Sequence, residues 1–287
     1  MKALLKLELR RALTNKLFLL SLGIGLVISI CATIEGVLFF NSFSANAQQN
    51  LSMGIYSNSF AQGLYTLWMP LSLIKSIPGM YFFVAPLFIG LAYSWSYRTD
   101  VSSGYANAIA VRSTRAAQST AKALATFVAG GLVITIPLVV NFIALACFVP
   151  AYIPDVTCIL STALSLTAFM SELLFTQPLL YVLARTVIDF ILAGSWATFI
   201  LAVSMFIQNK VAIVALPYVG LVCATYIIDQ VTRMFVLIKT GFTILDQLST
   251  TRSAMEGYDG WMVLGNIAFM LAVSIAIPLL KKRSDVL

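Results

Sequence analysis

Histidine is absent from the 287-residue chain. Its absence removes the commonest general base of enzymes and the commonest metal ligand. The chain also lacks a GxxxxGK[ST] loop, so it does not bind ATP through that motif. There is no HExxH sequence, no Cys/His cluster and no pairing of a nucleophile with a base. These gaps argue against an intramembrane enzyme, and we expect no catalytic residue, no metal site and no cofactor bound by this chain.

Charged residues are scarce, at 10% of the chain, whereas hydrophobic residues make up 60%. A soluble domain contains roughly 45–50% apolar and about 25% charged residues. Apolar runs of about twenty residues recur along the sequence, each long enough to cross a bilayer as a helix. The composition therefore predicts an all-α polytopic membrane protein in which residues 1–287 form a single transmembrane domain.

Six apolar runs predict six transmembrane helices. We place the spans at about 17–40, 79–97, 123–149, 181–207, 211–228 and 261–280. Residues 1–16 alternate leucines with cations and predict an amphipathic helix at the membrane interface. The stretch 41–77 is polar, and 159–175 predicts a short helix on the outer surface. The four cysteines form no CxxC pair, so we expect packing residues and no required disulfide.

The distribution of Lys and Arg predicts the orientation of the chain in the membrane. Residues 1–16 hold five, the loop 98–122 holds four, the turn 208–210 holds one and the tail holds three. The opposite side holds the remaining five of the 18: Lys75, Arg185, Arg233, Lys239 and Arg252. The side with 13 is expected to be cytoplasmic, which places both termini in the cytoplasm. The basic balance is therefore a topology signal and not a nucleic-acid patch.

The loop 98–122 is basic, rich in small residues and compatible with a short helix. Asp100, Ser102 and Ser103 stand where a helix N-cap would be. Arg112, Arg115 and Lys122 follow at its far end. Two interpretations remain open from the residues alone: a helix that presses on a soluble partner, or an ordinary loop whose charges set the topology.

Several short patterns together resemble the permease subunits of type-2 ABC exporters. A basic helix precedes the first span, and the loop contains Asp100-x-x-Ser103-Gly104, then Thr114-Arg115, then Lys122. The tail Lys282-Arg283-Ser284-Asp285 is similar to the basic, Asp-ending tail of that family. The loop departs from the family pattern in having Asp where Glu is usual.

This resemblance implies a permease that works as a dimer, with a second copy or a homologous permease. Separate ATPase subunits, carrying ATP and Mg²⁺, would dock on a cytoplasmic coupling helix in the 98–122 loop. The residues implied in coupling are Asp100, Ser103, Gly104, Arg112, Arg115 and Lys122. The implied location is the cell membrane, with membrane lipid around the chain and no nucleic acid as a partner.

Polar residues inside the predicted spans are candidates for a substrate path, because charges are costly to bury in a bilayer. Glu35 lies in the outer part of the first span. Arg185 and Asp189 are four residues apart and share a helix face. Asn141 and Asn266 are candidates as well, although hydrogen bonding between helices explains them better. For Glu35 and the Arg185–Asp189 pair, a substrate role and a purely internal or interfacial role remain equally open.

Aromatic residues near the predicted span ends are typical of interfacial belts. They are Trp68, Tyr81, Trp95, Tyr97 and Trp261. Two other function classes also remain: an ion-coupled secondary transporter, and a non-transporting membrane sensor or immunity protein. Paired repeats and acids at the membrane midplane would favour the secondary transporter, and the sequence alone shows neither.

Overall fold

The computed structural model describes residues 2–53, 62–72, 74, 76–105, 114–154, 169–235, 243–248 and 260–284. These residues form helices and contain no strand. The helices are α1 (Lys2–Leu13), α2 (Lys16–Ser52), α3 (Leu64–Leu67), α4 (Ile77–Tyr93), α5 (Ser96–Ser102), α6 (Arg115–Ala146), α7 (Ser171–Thr176), α8 (Pro178–Val203), α9 (Lys210–Phe235), α10 (Ile244–Leu248) and α11 (Gly260–Ser284).

Six of these helical stretches are long and apolar enough to cross a membrane. They are Lys16–Asn50, Ile77–Ser102, Ala117–Ala146, Pro178–Val203, Lys210–Val231 and Gly260–Pro278. The prediction of an all-α, multi-pass membrane protein is thereby confirmed. Each predicted span overlaps one of these stretches, because an uninterrupted apolar run leaves the backbone no alternative to helix in lipid.

The helix ends differ from the sequence-based boundaries at several places. Helix α2 continues to Ser52, whereas the predicted span ends at 40. The polar residues after Phe40 include no Gly or Pro between Gly36 and Gly54, so nothing in the sequence stops the helix. Helix α6 begins at Arg115, two turns before the predicted position 123. Of the predicted outer helix 159–175, residues 159–168 lie outside the described part of the chain, and α7 covers 171–175.

Small residues allow α6 and α8 to pack closely at the centre of the bundle. A side chain at Gly130 would collide with the Cβ of Ala197, and one at Gly131 would lie 2.5 Å from the Phe190 ring. Close approach through glycine and alanine is the usual way in which transmembrane helices associate, since apolar burial adds little in lipid. This contact sets the distance between the two central spans.

Residues 62–72, which follow α2, are buried against the bundle. Trp68 is fully buried, and its Nε1 donates a hydrogen bond to the carbonyl of Leu138 at 3.2 Å. The polar stretch 41–77 is therefore not simply a solvated outer loop. The interfacial-belt interpretation of Trp68 is wrong, and so is that of Tyr81, which is also fully buried. Trp261 is 82% exposed, which remains compatible with a belt position.

The last two spans pack loosely against the rest of the chain. Only 17% of the span in α9 and 11% of the span in α11 is buried, against 61% in α8. Their exposed side chains are largely apolar, among them Val211, Leu216, Leu264 and Phe269. Such surfaces are suited to contact with lipid tails.

Candidate functional site

Four charged side chains form a buried ion cluster at the end of the bundle where α1, α5 and α6 meet. Its members are Glu8, Arg11, Asp100 and Lys122, and we call it the basal ion cluster. Arg11 Nη1 lies 3.1 Å from Glu8 Oε1, and Arg11 Nη2 lies 2.9 Å from Asp100 Oδ1. Lys122 Nζ contacts Asp100 Oδ2 and lies 3.4 Å from Glu8 Oε2. Two acids and two bases thus neutralise one another.

Three members of the basal ion cluster are withdrawn from the surface, and Arg11 is half-buried. Glu8 is 0%, Asp100 2% and Lys122 4% exposed. Taking these charges out of water costs several kcal/mol per ion, so the cluster is tolerable only because each charge has opposite partners at contact distance. The helices that carry it are consequently held in one arrangement, since separating them would strand a buried charge.

Two tyrosines complete the electrostatic environment of the cluster. Tyr93 donates a hydrogen bond from its hydroxyl to Glu8 Oε2 at 3.0 Å. The Arg11 guanidinium lies 4.3 Å from the centroid of the Tyr105 ring, within cation–π range. Burial alone would lower the pKa of Arg11, but the hydrogen bond to Asp100 and the nearby acids raise it, so Arg11 stays charged. Burial raises the pKa of Tyr105, which keeps its hydroxyl neutral.

The local backbone differs from the prediction at the start of the loop. Asp100 lies inside α5, so it does not cap the N-terminus of a helix as expected. Ser103 ends that helix, with its backbone N–H bonded to the carbonyl of Thr99 at 2.9 Å. Gly104 follows with φ +73°, a conformation that glycine adopts without steric cost. The Asp-x-x-Ser-Gly sequence therefore terminates a helix and turns the chain.

The loop ends where Thr114 caps α6. The Thr114 side chain accepts a hydrogen bond from the backbone N–H of Ala117 at 3.3 Å. Lys122 lies seven residues inside the helix and not in the loop, and it points back to Asp100. Arg115 is the first residue of α6, and its side chain lies outside the described part of the structure. Arg112 and the middle of the loop also lie outside it, so their proposed coupling role stays a prediction.

The candidate substrate-path residues lie on four different helices: Glu35 on α2, Asn141 on α6, Arg185 and Asp189 on α8, and Asn266 on α11. Asn141 is fully buried in α6 and joins three elements. Its Nδ2 donates to Thr33 Oγ1 at 2.9 Å, and its Oδ1 accepts from the backbone N–H of Met69 at 3.1 Å. The hydrogen-bonding role expected for Asn141 is what these contacts show. Asn266 is half-buried in α11.

Glu35 holds the beginning of α4. Its carboxylate accepts a hydrogen bond from the Ser76 hydroxyl and one from the backbone N–H of Ile77 at 3.4 Å. A carboxylate at a helix N-terminus satisfies donors that have no partner within the helix. In this structure Glu35 thus ties α2 to the start of the second span.

Arg185 and Asp189 form the expected pair within α8. Arg185 Nη2 lies 3.1 Å from Asp189 Oδ1, and both residues are buried. The guanidinium also donates to the carbonyls of Gln247 and, at 3.4 Å, of Leu248, at the end of α10. The pair is therefore more than a mutual salt bridge, because it also anchors the buried segment 243–248. Nothing in the spacing of residues 185 and 189 predicts this third partner.

Sequence reasoning missed the part that α1 plays in the site. The sequence predicts only an amphipathic helix over residues 1–16, yet Glu8 and Arg11 of this segment belong to the basal ion cluster. One signal was available: Glu8 is the only acid in residues 1–16, a segment with five cations. A lone acid on the buried face of a basic helix indicates a specific partner.

The described residues include no group of three or more Cys, Asp or Glu placed to hold a metal ion. No protein-family profile, curated protein or solved structure matches this chain.

Proposed function

We propose that this chain is the transmembrane permease subunit of an ATP-driven ABC transporter of the exporter type. It pairs with a second permease, either another copy or a homologue, in the cell membrane with both termini in the cytoplasm. ATP and Mg²⁺ are bound by a separate ATPase subunit that docks on the 98–122 loop. The chain itself carries no catalytic residue.

The observation that carries this proposal is the ion pair between Asp100 and Lys122. These residues stand on either side of the loop, and their contact closes its base. Glu8 and Arg11 tie the same base to α1. A loop with a rigid base can pass a displacement at its tip to the spans that follow, whereas a flexible base would absorb it. Helix α5, which carries Asp100, follows α4, and Lys122 lies within α6, so both sides of this base lead into a span.

The docking residues proposed on this loop are Arg112 and Arg115, with Ser103 and Gly104 shaping the turn. Arg115 begins α6 immediately after the Thr114 cap, so its backbone stands at the boundary between loop and span. An arginine there can pair bidentately with acids or carbonyls of a soluble subunit. Asp100 and Lys122 serve the coupling differently, because their burial makes them the internal support of the loop and not its contact surface.

A secondary transporter is the second candidate, and the position of Asp189 favours it. Asp189 is the twelfth of the 26 residues in α8 and is fully buried. At 1.5 Å per residue it lies roughly 17 Å from the start of the helix, close to the middle of a span. Buried carboxylates at this depth are typical of proton-coupled and ion-coupled carriers. Here Asp189 is paired with Arg185, which favours the ionised carboxylate and makes uptake of a proton during each cycle costly.

Transport measurements in inverted membrane vesicles separate the two candidates. Vesicles containing the chain and a co-expressed P-loop ATPase are supplied with ATP or with a proton or sodium gradient. The tracers cover the substrate classes left open by the sequence: lipid, peptide antibiotic, polysaccharide and small drug. ATP-driven uptake that vanishes with a Walker-lysine variant of the ATPase supports the proposal. Uptake driven by a gradient without ATP would replace it with the secondary transporter.

A further inference from the structure

An open cavity of about 430 Å³ lies along the exposed face of α1, the face turned away from the bundle. It is lined by Ala3, Lys6, Leu7, Arg10, Arg11 and Tyr105. Residues 3, 6, 7 and 10 follow the three-and-four spacing of one helix face, so a single face of α1 forms the long wall. Tyr105 completes the lining, and its ring lies against the Arg11 guanidinium.

The charge of this cavity is positive and not compensated within it. Lys6 and Arg10 are exposed, and no ion pair to either is found in the described part of the chain. Glu8 and Asp100, the acids of the adjacent basal ion cluster, are buried there and neutralised by Arg11 and Lys122. Within the described part of the chain, the two cations that face the cavity therefore have no acidic partner, which favours an anionic ligand.

The remaining lining of the cavity is apolar, which favours an anion that also carries an apolar part. Leu7 is 46% exposed beside the cations, with Ala3 one turn away. A small hydrophilic anion gains nothing from such a surface, whereas a phospholipid places its phosphate on the cations and its glycerol and upper acyl carbons on Leu7 and Ala3. Helix α1 leads within two residues into the first span, which begins at Lys16, so the cavity opens at the edge of the bilayer.

We infer that this cavity binds the headgroup of an anionic phospholipid in the adjacent leaflet. Lys6 and Arg10 contact the phosphate, Leu7 and Ala3 contact the apolar part of the lipid, and Tyr105 limits the size of the headgroup. Lipid binding by α1 does not depend on which energy source drives transport.

The test compares lipids and variants on the full chain purified in a neutral detergent. Short-chain phosphatidylglycerol and phosphatidylcholine of the same acyl length are titrated, and binding is followed by microscale thermophoresis. The test variant is Lys6→Ala/Arg10→Ala. Its matched control, Lys16→Ala/Lys210→Ala, removes two exposed cations that lie outside the cavity, at the starts of α2 and α9.

The parent and the control are expected to prefer the anionic lipid. The test variant is expected to bind it roughly thirty-fold more weakly, which corresponds to about 2 kcal/mol, or about 1 kcal/mol for each cation near a lipid surface. A second variant, Ala3→Trp, fills the cavity without changing charge and is expected to weaken binding as well. Circular dichroism and gel filtration confirm that each variant is folded.

Three results would overturn the inference. Equal losses in the test variant and the control would show only general attraction between cations and anionic lipid. Equal binding of phosphatidylglycerol and phosphatidylcholine would exclude recognition of the phosphate charge. Displacement of the lipid by inorganic phosphate or glycerol phosphate at matched concentration would show that the cavity serves a free phosphate and not a lipid.

Discussion

Arg11 of the first helix donates a hydrogen bond to Asp100, 89 residues later, at 2.9 Å between Nη2 and Oδ1. This contact joins the amphipathic N-terminal helix to the loop that the proposed ATPase would engage. Lys122 reaches the other oxygen of the same carboxylate from α6. Asp100 is thus the point at which three separate stretches of the chain meet.

Removing the positive charge of Lys122 should destabilise the protein strongly. In Lys122→Met, the buried acids Glu8 and Asp100 share only Arg11, so an uncompensated charge remains, at a cost of about 3–5 kcal/mol. The double variant Glu8→Gln/Lys122→Met removes one charge of each sign and should recover part of the loss. The exposed Lys16→Met serves as the control and should change stability by less than about 0.5 kcal/mol. Unfolding in mixed SDS micelles measures the stability of all three variants. Equal unfolding midpoints for Lys122→Met and Lys16→Met would contradict a stabilising role of the cluster.

The Arg185–Asp189 pair should show strong coupling in a double-mutant cycle. Arg185→Met strands the Asp189 carboxylate and deprives two carbonyls at the end of α10 of their donor. Asp189→Leu leaves the buried Arg185 guanidinium without its carboxylate partner. We expect each single change to cost about 3–5 kcal/mol and the double change to cost less than the sum of the two.

The same variants separate a structural from a substrate role. If the pair contacts substrate, the folded double variant should lose transport. Normal expression together with normal transport in that variant would exclude the substrate role. Additive costs in the cycle would show instead that the two residues act independently.

Asn141 should hold the buried segment 62–72 in place. Asn141→Leu keeps the approximate volume but removes the acceptor for the Met69 N–H and the donor to Thr33. Hydrogen bonds between transmembrane segments contribute about 0.6–2 kcal/mol, so the segment should open more often. A cysteine placed at buried Leu67 in a Cys-free version should then react faster with a maleimide. Asn41→Leu, which changes an exposed residue of α2, is the control. Unchanged reactivity at position 67 in both variants would show that Asn141 does not secure the segment.

Gly130 should be intolerant of even one methyl group. A Cβ at this position would collide with Ala197 and lie 3.2 Å from the carbonyl of Ala193, so Gly130→Ala must push α6 away from α8. Overpacking of this kind costs about 1–3 kcal/mol. Gly220→Ala is a matched control, because nothing lies within 4 Å of the added atom. Thermal aggregation in detergent gives the melting temperatures of Gly130→Ala and Gly220→Ala. Similar melting temperatures would mean that α6 and α8 can move apart to accept the added methyl group without loss of stability.

The number and position of the spans could be predicted because apolar length is a local property of the sequence. The ends of the helices were harder to predict. The polar continuation of α2 to Ser52 contains neither an apolar run that would indicate a helix nor a Gly or Pro that would end one. The burial of Trp68 was missed for a different reason. Its short segment lies far below the length of a span, and it is stabilised by groups of α6 some seventy residues away.

The sequence indicated some of the residues that belong to the candidate site, but not which side chains contact one another there. Asp100 and Lys122 stood out as motif residues of the loop, and their mutual contact depends on how α5 and α6 end and begin. Glu8 and Arg11 meet them only through the packing of α1 on α6, which no sequence spacing encodes. Arg185 and Asp189 were identified together because a separation of four residues places them on one helix face.

A quantitative pull-down tests whether the 98–122 loop docks a soluble ATPase. The tagged chain is co-expressed with a P-loop ATPase, solubilised gently and compared with Arg115→Ala and Arg115→Lys. Loss of a buried, hydrogen-bonded interface charge costs about 2–5 kcal/mol, and lysine lacks the planar fork of donors. We expect the ATPase to co-purify with the parent, Arg115→Ala to associate at least about tenfold more weakly, and Arg115→Lys to recover only part of this loss. Membrane insertion should be unchanged in both variants. Absence of the ATPase from the parent complex, or full association of both variants, would contradict docking through this loop.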